Sequence, residues 1–267
     1  MIMEKDLGNP IALGRTAEIF PWENGQILKL FFDFMGSGDI EYELRMNRAV
    51  HASGLPIPAP GEIVLINGRR GLIYERVDGT SMWGMLAKQP WRLVEFARQT
   101  ADLHAEMHAN TTRPEIPSLH RKLEFKLLHA DQLSPAIQEA AHAALVGLPD
   151  GSSICHGDFH PANILLASRR AVIIDWIDAS VGNPLADVAR TSVICMGAVN
   201  STEVQNPALR LGLRMFHTIY LRRYFRLRPG GETEYRRWIP IVAAARLSEN
   251  IPELESWLIE TARKVLL

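Results

Sequence analysis

The sequence predicts an α+β chain of two lobes, a small antiparallel-sheet lobe over residues 1–77 and a larger, mainly helical lobe over 78–267. The first lobe rests on strand-like apolar runs broken by Asn24-Gly25 and by Asn67-Gly68, dipeptides that supply the positive φ angles a tight hairpin turn needs. The second rests on "WRLVEFARQTADLHAEMHA" (91–109), where Leu93, Phe96, Ala97, Thr100, Leu103 and Met107 recur at three and four residues, the period of a helix face.

In chain order, "NPIALGRTAEIFPWENGQILKLFF" reads as two strands meeting at Asn24-Gly25, with Lys29 inside the second. After "GSG" (36–38), the segment "DIEYELRMNRAVHAS" shows a helical stripe of Ile40, Leu44, Ala49 and Val50, carries Glu41 and Glu43, and stops at Gly54. "GLPIPAPG" breaks the chain, and "EIVLINGRRGLIYERV" makes the second hairpin. From "DGTSM" onward the reading is helical, apart from a late short hairpin made of "ANILLAS", a turn at Arg169-Arg170, and "AVIIDW". Two strands set among helices usually carry something.

A net charge of −1 on 267 residues removes any global case for nucleic acid or an anionic membrane as the main partner. No stretch approaches the roughly 18–20 apolar residues of a spanning helix. The opening "MIMEKDLGNP" has acids where a signal peptide carries lysine and a long apolar segment. The expectation is a soluble, cytoplasmic protein. Cys155 and Cys195 are too few for a disulfide framework and form no CxxC pair, so both read as buried reduced thiols.

The chemistry concentrates in "ICHGDFHPANILL" (154–166). One reading makes His156, Asp158 and Asn163 turn caps that satisfy backbone donors. A second takes His156, Asp158 and His160 as an HxDxH metal set for a hydrolase, although the nearest downstream histidine is His217. A third adds Asp175, which ends the next strand after three apolar residues, so that the hairpin brings Asp158, Asn163 and Asp175 to one edge. That set suits phosphoryl transfer: one carboxylate orients an attacking hydroxyl and accepts its proton, while Asn and Asp oxygens hold a hard cation on a triphosphate.

"HGDFHPANIL" and "IIDWIDASVGNPLADVAR" resemble the two signature segments of the aminoglycoside phosphotransferase family of kinase-like enzymes, which is related to choline and homoserine kinases. The family pattern is HxDxxxxN followed by an apolar strand ending in Asp, and here the two aspartates stand 17 apart. The resemblance implies a bilobal protein-kinase-like fold, with Asp158 as catalytic base, Asn163 and Asp175 as Mg2+ ligands, and His156 as a residue that packs and orders the loop. It likewise implies that Asp187 ties the catalytic loop to the following helix through backbone hydrogen bonds, whereas the plainer reading is an acid favoured by the helix dipole. A nucleotide-binding protein that had lost its chemistry would show the base or a metal ligand replaced, and neither is.

The same logic calls for a small-lobe lysine on the nucleotide phosphates and a helix glutamate to hold it. Lys29 in "ILKLFF" is the candidate; an apolar-flanked lysine is costly to bury alone. Glu43 is the preferred partner, because the family's glutamate stands about ten residues before the "GLPxP" segment; Glu41, two residues away, would face elsewhere on the helix. "LGRTAEIF" takes the place of a phosphate-covering loop with Gly14 as its only glycine, a poor match to a glycine-rich loop. "IYERVDG" resembles the hinge, where backbone groups around Glu75 and Val77 would meet the base of ATP, with GTP the alternative.

Only about ten residues separate Asp175 from "PLADVAR", too few for a protein kinase's activation segment, so the expected acceptor is a small hydroxylated molecule. Residues 178–267 hold twelve Arg and Lys against nine Asp and Glu, including "YLRRYFRLR" (220–228). That balance points to a neutral or anionic acceptor, unless the arginines are simply a solvated helix face.

Overall fold

The structure, a computed structural model, describes residues 2, 3, 6–110, 112, 115–168 and 170–267. The chain divides into two compact units, Met1–Ser81 with Ile164–Ile177, and Met82–Asn163 with Asp178–Leu267.

The first unit is built on a six-stranded sheet of β1 (Ile2–Met3), β2 (Ala12–Leu13), β3 (Ala17–Trp22), β4 (Gln26–Phe31), β5 (Pro60–Ile66) and β6 (Arg69–Glu75), in the order β1-β5-β6-β4-β3-β2. All pairs are antiparallel except β1 with β5. Both expected hairpin turns adopt positive φ, at 52° and 69° for Asn24-Gly25 and at 48° and 80° for Asn67-Gly68, as tight turns of this kind require.

Strand periodicity sorts β4 into two faces. Leu28 and Leu30 join Phe20, Ile66 and Ile73 in one apolar cluster. Phe31, with Ile27, lies on the opposite face, where it packs with Leu72 and Tyr74 of β6 and with Ile40 and Leu44 of helix α1 (Ser37–His51). Each such fully buried side chain contributes about 1.5–3 kcal/mol. Lys29 shares the Phe31 face by the period of two, which directs it to α1.

A second sheet in this unit pairs β10 (Ala171–Ile173), β9 (Ile164–Ala167) and β7 (Gly79–Ser81) in that order. The bounds of this unit differ from the expected division at 77/78: β7 hydrogen-bonds to β9 and draws residues up to Ser81 and the segment 164–177 into the sheet unit. The Ile173 N–H also donates to the Pro56 carbonyl (2.9 Å), seating the proline-rich break beside β10. Of the expected turn at Arg169-Arg170, Arg169 lies outside the described residues.

The second unit is mostly helical: α2 (Met82–Lys88), α3 (Leu93–Ala109), α4 (Leu119–Leu128), α5 (Pro135–Val146), α6 (Pro184–Asn200), α7 (Pro207–Leu227), α8 (Glu232–Arg246) and α9 (Glu255–Ala262). A short ribbon of β8 (Ser153–Cys155) and β11 (Ser180–Gly182) is set among them. Helix α3 lies along α7, and α6 along α8. Phe96, Phe159, Tyr220, Tyr224 and Trp238 are fully buried between these helices. Cys155 and Cys195 are free and buried, and burial pushes both thiols up, Cys195 to about 12. No helix among the described residues is long and apolar enough to cross a membrane.

Candidate active site

Leaving β8 at Cys155, the chain must turn sharply to present Asp158, and Gly157 makes the turn with φ 81°. A Cβ at this position would lie 2.6 Å from the Asp178 carbonyl oxygen, so only glycine passes. The turn is gripped by one face of α6, whose start is set by Pro184 at the first turn and by Asn183, which caps the Leu185 N–H (2.9 Å). Asp187, Arg190 and Thr191 stand at i, i+3 and i+4, hence on one side of the helix. Asp187 accepts from the His156 N–H (2.7 Å) and the Gly157 N–H (2.9 Å). Arg190 donates Nε to the Gly157 carbonyl (2.8 Å), and the Thr191 hydroxyl donates to the Phe159 carbonyl (2.9 Å). Both readings of Asp187 hold, since it is a first-turn acid whose carboxylate also ties down the loop.

His156 is fully buried, edge-on to Phe159, and its Nδ1 accepts from the Asp158 N–H (3.1 Å). The Asp158 carboxylate lies 3.3 Å from His160 Nε2 and 3.7 Å from Arg190 Nη2. Burial alone would raise its pKa, but the His160 hydrogen bond and the Arg190 and His156 charges hold it well below the usual carboxylate range. Asn163 is buried and donates Nδ2 to the Asp158 carbonyl (2.9 Å) and carboxylate (3.2 Å), bonds that do not use its amide oxygen.

Asp175 lies in the sheet unit, two residues past the end of β10 rather than at its last position. It holds φ 66°, a left-handed conformation that costs about 1–3 kcal/mol for a non-glycine residue and clusters at functional positions. Ile164 pairs with Ile173, so Asp175 follows β10 at the end of the ribbon where β9 begins. A carboxylate and an amide oxygen are donor types that suit Mg2+, so the chemistry of these two side chains fits the cation.

In the sheet unit Lys29 Nζ donates to Glu43 Oε1 at 2.7 Å, and the Tyr74 hydroxyl donates to the same oxygen at 2.9 Å. Lys29 also lies 5.2 Å from the Phe31 ring centre. Burial first, then the charges of Glu43 and Asp175, raises the Tyr74 pKa well above its ordinary value, so it remains a donor. Glu41 points elsewhere, toward Arg70 at 3.4 Å on the exposed side. Gly14 sits in a turn closed by its own N–H on the Ala17 carbonyl (2.9 Å). Glu75 donates its N–H to the Ala59 carbonyl (2.9 Å), and Val77 follows in the link before β7.

Sequence reasoning missed Tyr74, Arg190 and a buried network behind the loop. His104 and His108, one turn apart on α3, each direct Nε2 at Asp187 Oδ2 (3.1 and 3.3 Å). Their Nδ1 atoms meet the hydroxyls of Tyr220 (2.6 Å) and Tyr224 (2.8 Å), one turn apart on α7. Each histidine therefore donates to the carboxylate and accepts from a tyrosine. The i, i+4 spacing on both helices was the available signal. Among the described residues, the group with three metal-capable atoms close together is His104, His108 and Asp187, not His156, Asp158 and His160, so the HxDxH hydrolase set is not formed. His156 and His160 instead use their rings on the loop's own backbone and on Asp158.

Burial, then the neighbouring His104, lowers the His108 pKa from 6.5 to about 3 despite Asp187. The Asp187 carboxyl, which burial would raise, is held well below 3.8 by the two histidines. Both values are depressed in the folded chain. Below pH 6.5 the unfolded chain therefore takes up a proton at His108 that the folded chain refuses, and below about 4 the same holds for Asp187, so stability falls with pH. Urea midpoints should drop through this range, and His108→Gln should flatten the limb between pH 6.5 and 4. Parallel curves for the two proteins would refute the assignment.

The model of the "Phosphotransferase enzyme family" matches residues 22–230. No match is found among the curated proteins. Among solved structures, a thermostable mutant of aminoglycoside phosphotransferase APH(4)-Ia, in ternary complex with ADP and hygromycin B, is 15% identical with TM-score 0.66, covering 97% of this chain and 92% of that one. A choline/ethanolamine kinase family protein from Mesorhizobium loti is 14% identical with TM-score 0.61, covering 97% and 87%. Amicoumacin kinase hAmiN, in complex with AMP-PNP, Ca2+ and amicoumacin, is 12% identical with TM-score 0.61, covering 96% and 87%. At these identities the likeness is one of fold.

Proposed function

The chain belongs to the phosphotransferase enzyme family, and on that footing we propose that it moves the γ-phosphoryl group of ATP, or of GTP, to a hydroxyl of a small molecule. The observation that carries this reading is the placement of Asp158: a carboxylate on a glycine turn, anchored by three residues of α6 and hydrogen-bonded by Asn163. Such a carboxylate is a weak base in the ground state. Its work is to orient the acceptor hydroxyl and take the proton late, as the bond to phosphorus forms, which suits a loose phosphoryl-transfer transition state.

In this proposal Lys29, held by Glu43 and Tyr74, carries the α- and β-phosphates, and the backbone around Glu75 and Val77 meets the base. Gly14 marks the turn that would cover the phosphates. Asn163 and Asp175 are the oxygen ligands of Mg2+, which, when bound, offsets the charge developing on the phosphates. The nucleotides and the Ca2+ named with the structural neighbours support a nucleotide and a divalent cation here.

The test is a nucleotide-depletion screen over hydroxylated metabolites and antibiotics, with Asp158→Asn as the blank. Acceptor-dependent depletion that vanishes in the blank supports the proposal; depletion of equal size in the blank sinks it.

A further inference from the structure

A pocket of about 40 Å³ lies in the helical unit against the catalytic turn. Lys122 and Lys126 of α4, Arg190 of α6 and Arg246 of α8 line it, with Gly157 and Asp178. Leu123 and Val242 add apolar wall. Arg190 and Gly157 connect it to Asp158: Arg190 Nη2 lies 3.7 Å from the Asp158 carboxylate, and Gly157 is its chain neighbour.

The charges are unevenly shared. Glu249 alone serves three cations, Arg190 at 2.7 Å, Lys126 at 3.1 Å and Arg246 at 3.7 Å. Asp178 meets Lys126 at 3.4 Å, and Asp187, the other acid of the lining, is already held by the loop N–H groups and the two histidines. Burial, with Lys126 acting in the same direction, lowers the Lys122 ammonium to about 8 against the pull of Asp178. An added anion would reverse that. The volume equals about three waters, which is room for one carboxylate or phosphate group.

We propose that the acceptor carries an oxyanion group, a carboxylate or a phosphate, that seats among Lys122, Lys126 and Arg246 while its hydroxyl meets Asp158. The inference rests on the phosphotransferase reading and narrows its substrate class. It keeps the anionic acceptor suggested by the sequence but moves its basis. The arginines of 220–228 do not line this pocket; Arg222 and Arg226 are exposed, and Arg223 pairs with Asp102 at 2.6 Å. A polycationic acceptor would meet four like charges here.

The test uses reductive methylation of the intact chain, with the extent at each lysine read by peptide mass spectrometry, in inorganic phosphate, in acetate, or in chloride at equal ionic strength. Lys122 labelling is expected to fall about fivefold or more in one or both anions, while the exposed Lys88 and Lys264 are unchanged. Lys126→Gln should remove the protection. The arm that protects decides between phosphate and carboxylate. Labelling of Lys122 that is the same in all three salts, or that falls equally at Lys88 and Lys264, overturns the proposal. Because methylation involves no turnover, the two ideas fail separately. Protection with no acceptor-dependent nucleotide depletion anywhere in the panel supports the pocket and removes the phosphotransferase reading; turnover of uncharged alcohols without protection keeps that reading and removes the pocket.

Discussion

Replacing Asp158 with asparagine is expected to lower turnover about a thousandfold, some 4 kcal/mol of transition-state stabilisation. The substitution keeps the shape of the side chain and removes its charge. Asparagine can still accept from Asn163 through one oxygen, so the loop should keep its form. Arg190 loses a partner at 3.7 Å but retains Glu249 at 2.7 Å, and His160 loses its carboxylate contact at 3.3 Å, so the variant should stay folded with a lower urea midpoint, because the charge that the fold favours is gone. Nucleotide KM should change little, because the phosphates are assigned to Lys29 and the metal ligands. Pre-steady-state turnover with a saturating acceptor reads the effect directly. A variant that keeps a tenth or more of wild-type turnover would remove Asp158 from the chemistry and leave it as one more loop cap.

The parts of this molecule legible in the sequence are those written in local chemistry. Asn24-Gly25 and Asn67-Gly68 announce their turns because few other dipeptides tolerate two positive φ values in succession. Lys29 shares the Phe31 face of β4 by a period of two; the helix period says only that Glu41 and Glu43 face differently, and the choice of Glu43 rests on the family resemblance. The ribbon between Asn163 and Asp175 was readable because its two strands, β9 and β10, are close neighbours in the chain.

What could not be read depends on partners distant in the chain. β7 has three residues, too few to show a period, and owes its strand character to β9, more than eighty residues later. His104 and His108 read as one face of a helix, but nothing in α3 states that Asp187 and two tyrosines of α7 wait there. Arg190 likewise looks like an ordinary helix arginine until Gly157 and Glu249 are brought to it. The arginines of 220–228 do not line the pocket beside Gly157, for the converse reason: charge counted along a chain says nothing about which face a helix turns to a pocket.

The buried network makes Asp187 the position where a single substitution should cost the most stability. Its Oδ2 accepts from the His156 N–H, His104 and His108, and its Oδ1 from the Gly157 N–H. Asp187→Ala would leave four donors, three of them buried, without an acceptor. At about 1–3 kcal/mol each, and with partial relaxation, the expected loss is about 5 kcal/mol, comparable to the whole stability of many domains. Asp187→Asn should be milder, because an amide oxygen can replace Oδ2 while its NH2 faces the Gly157 N–H, one conflict instead of four lost bonds. The expected order of urea midpoints is therefore wild type, then Asn, then Ala, with the Ala variant largely unfolded at neutral pH. If the alanine variant unfolds within about 1 kcal/mol of wild type, the four hydrogen bonds are not what holds the catalytic turn, and its anchoring must come from Arg190 and Thr191 alone.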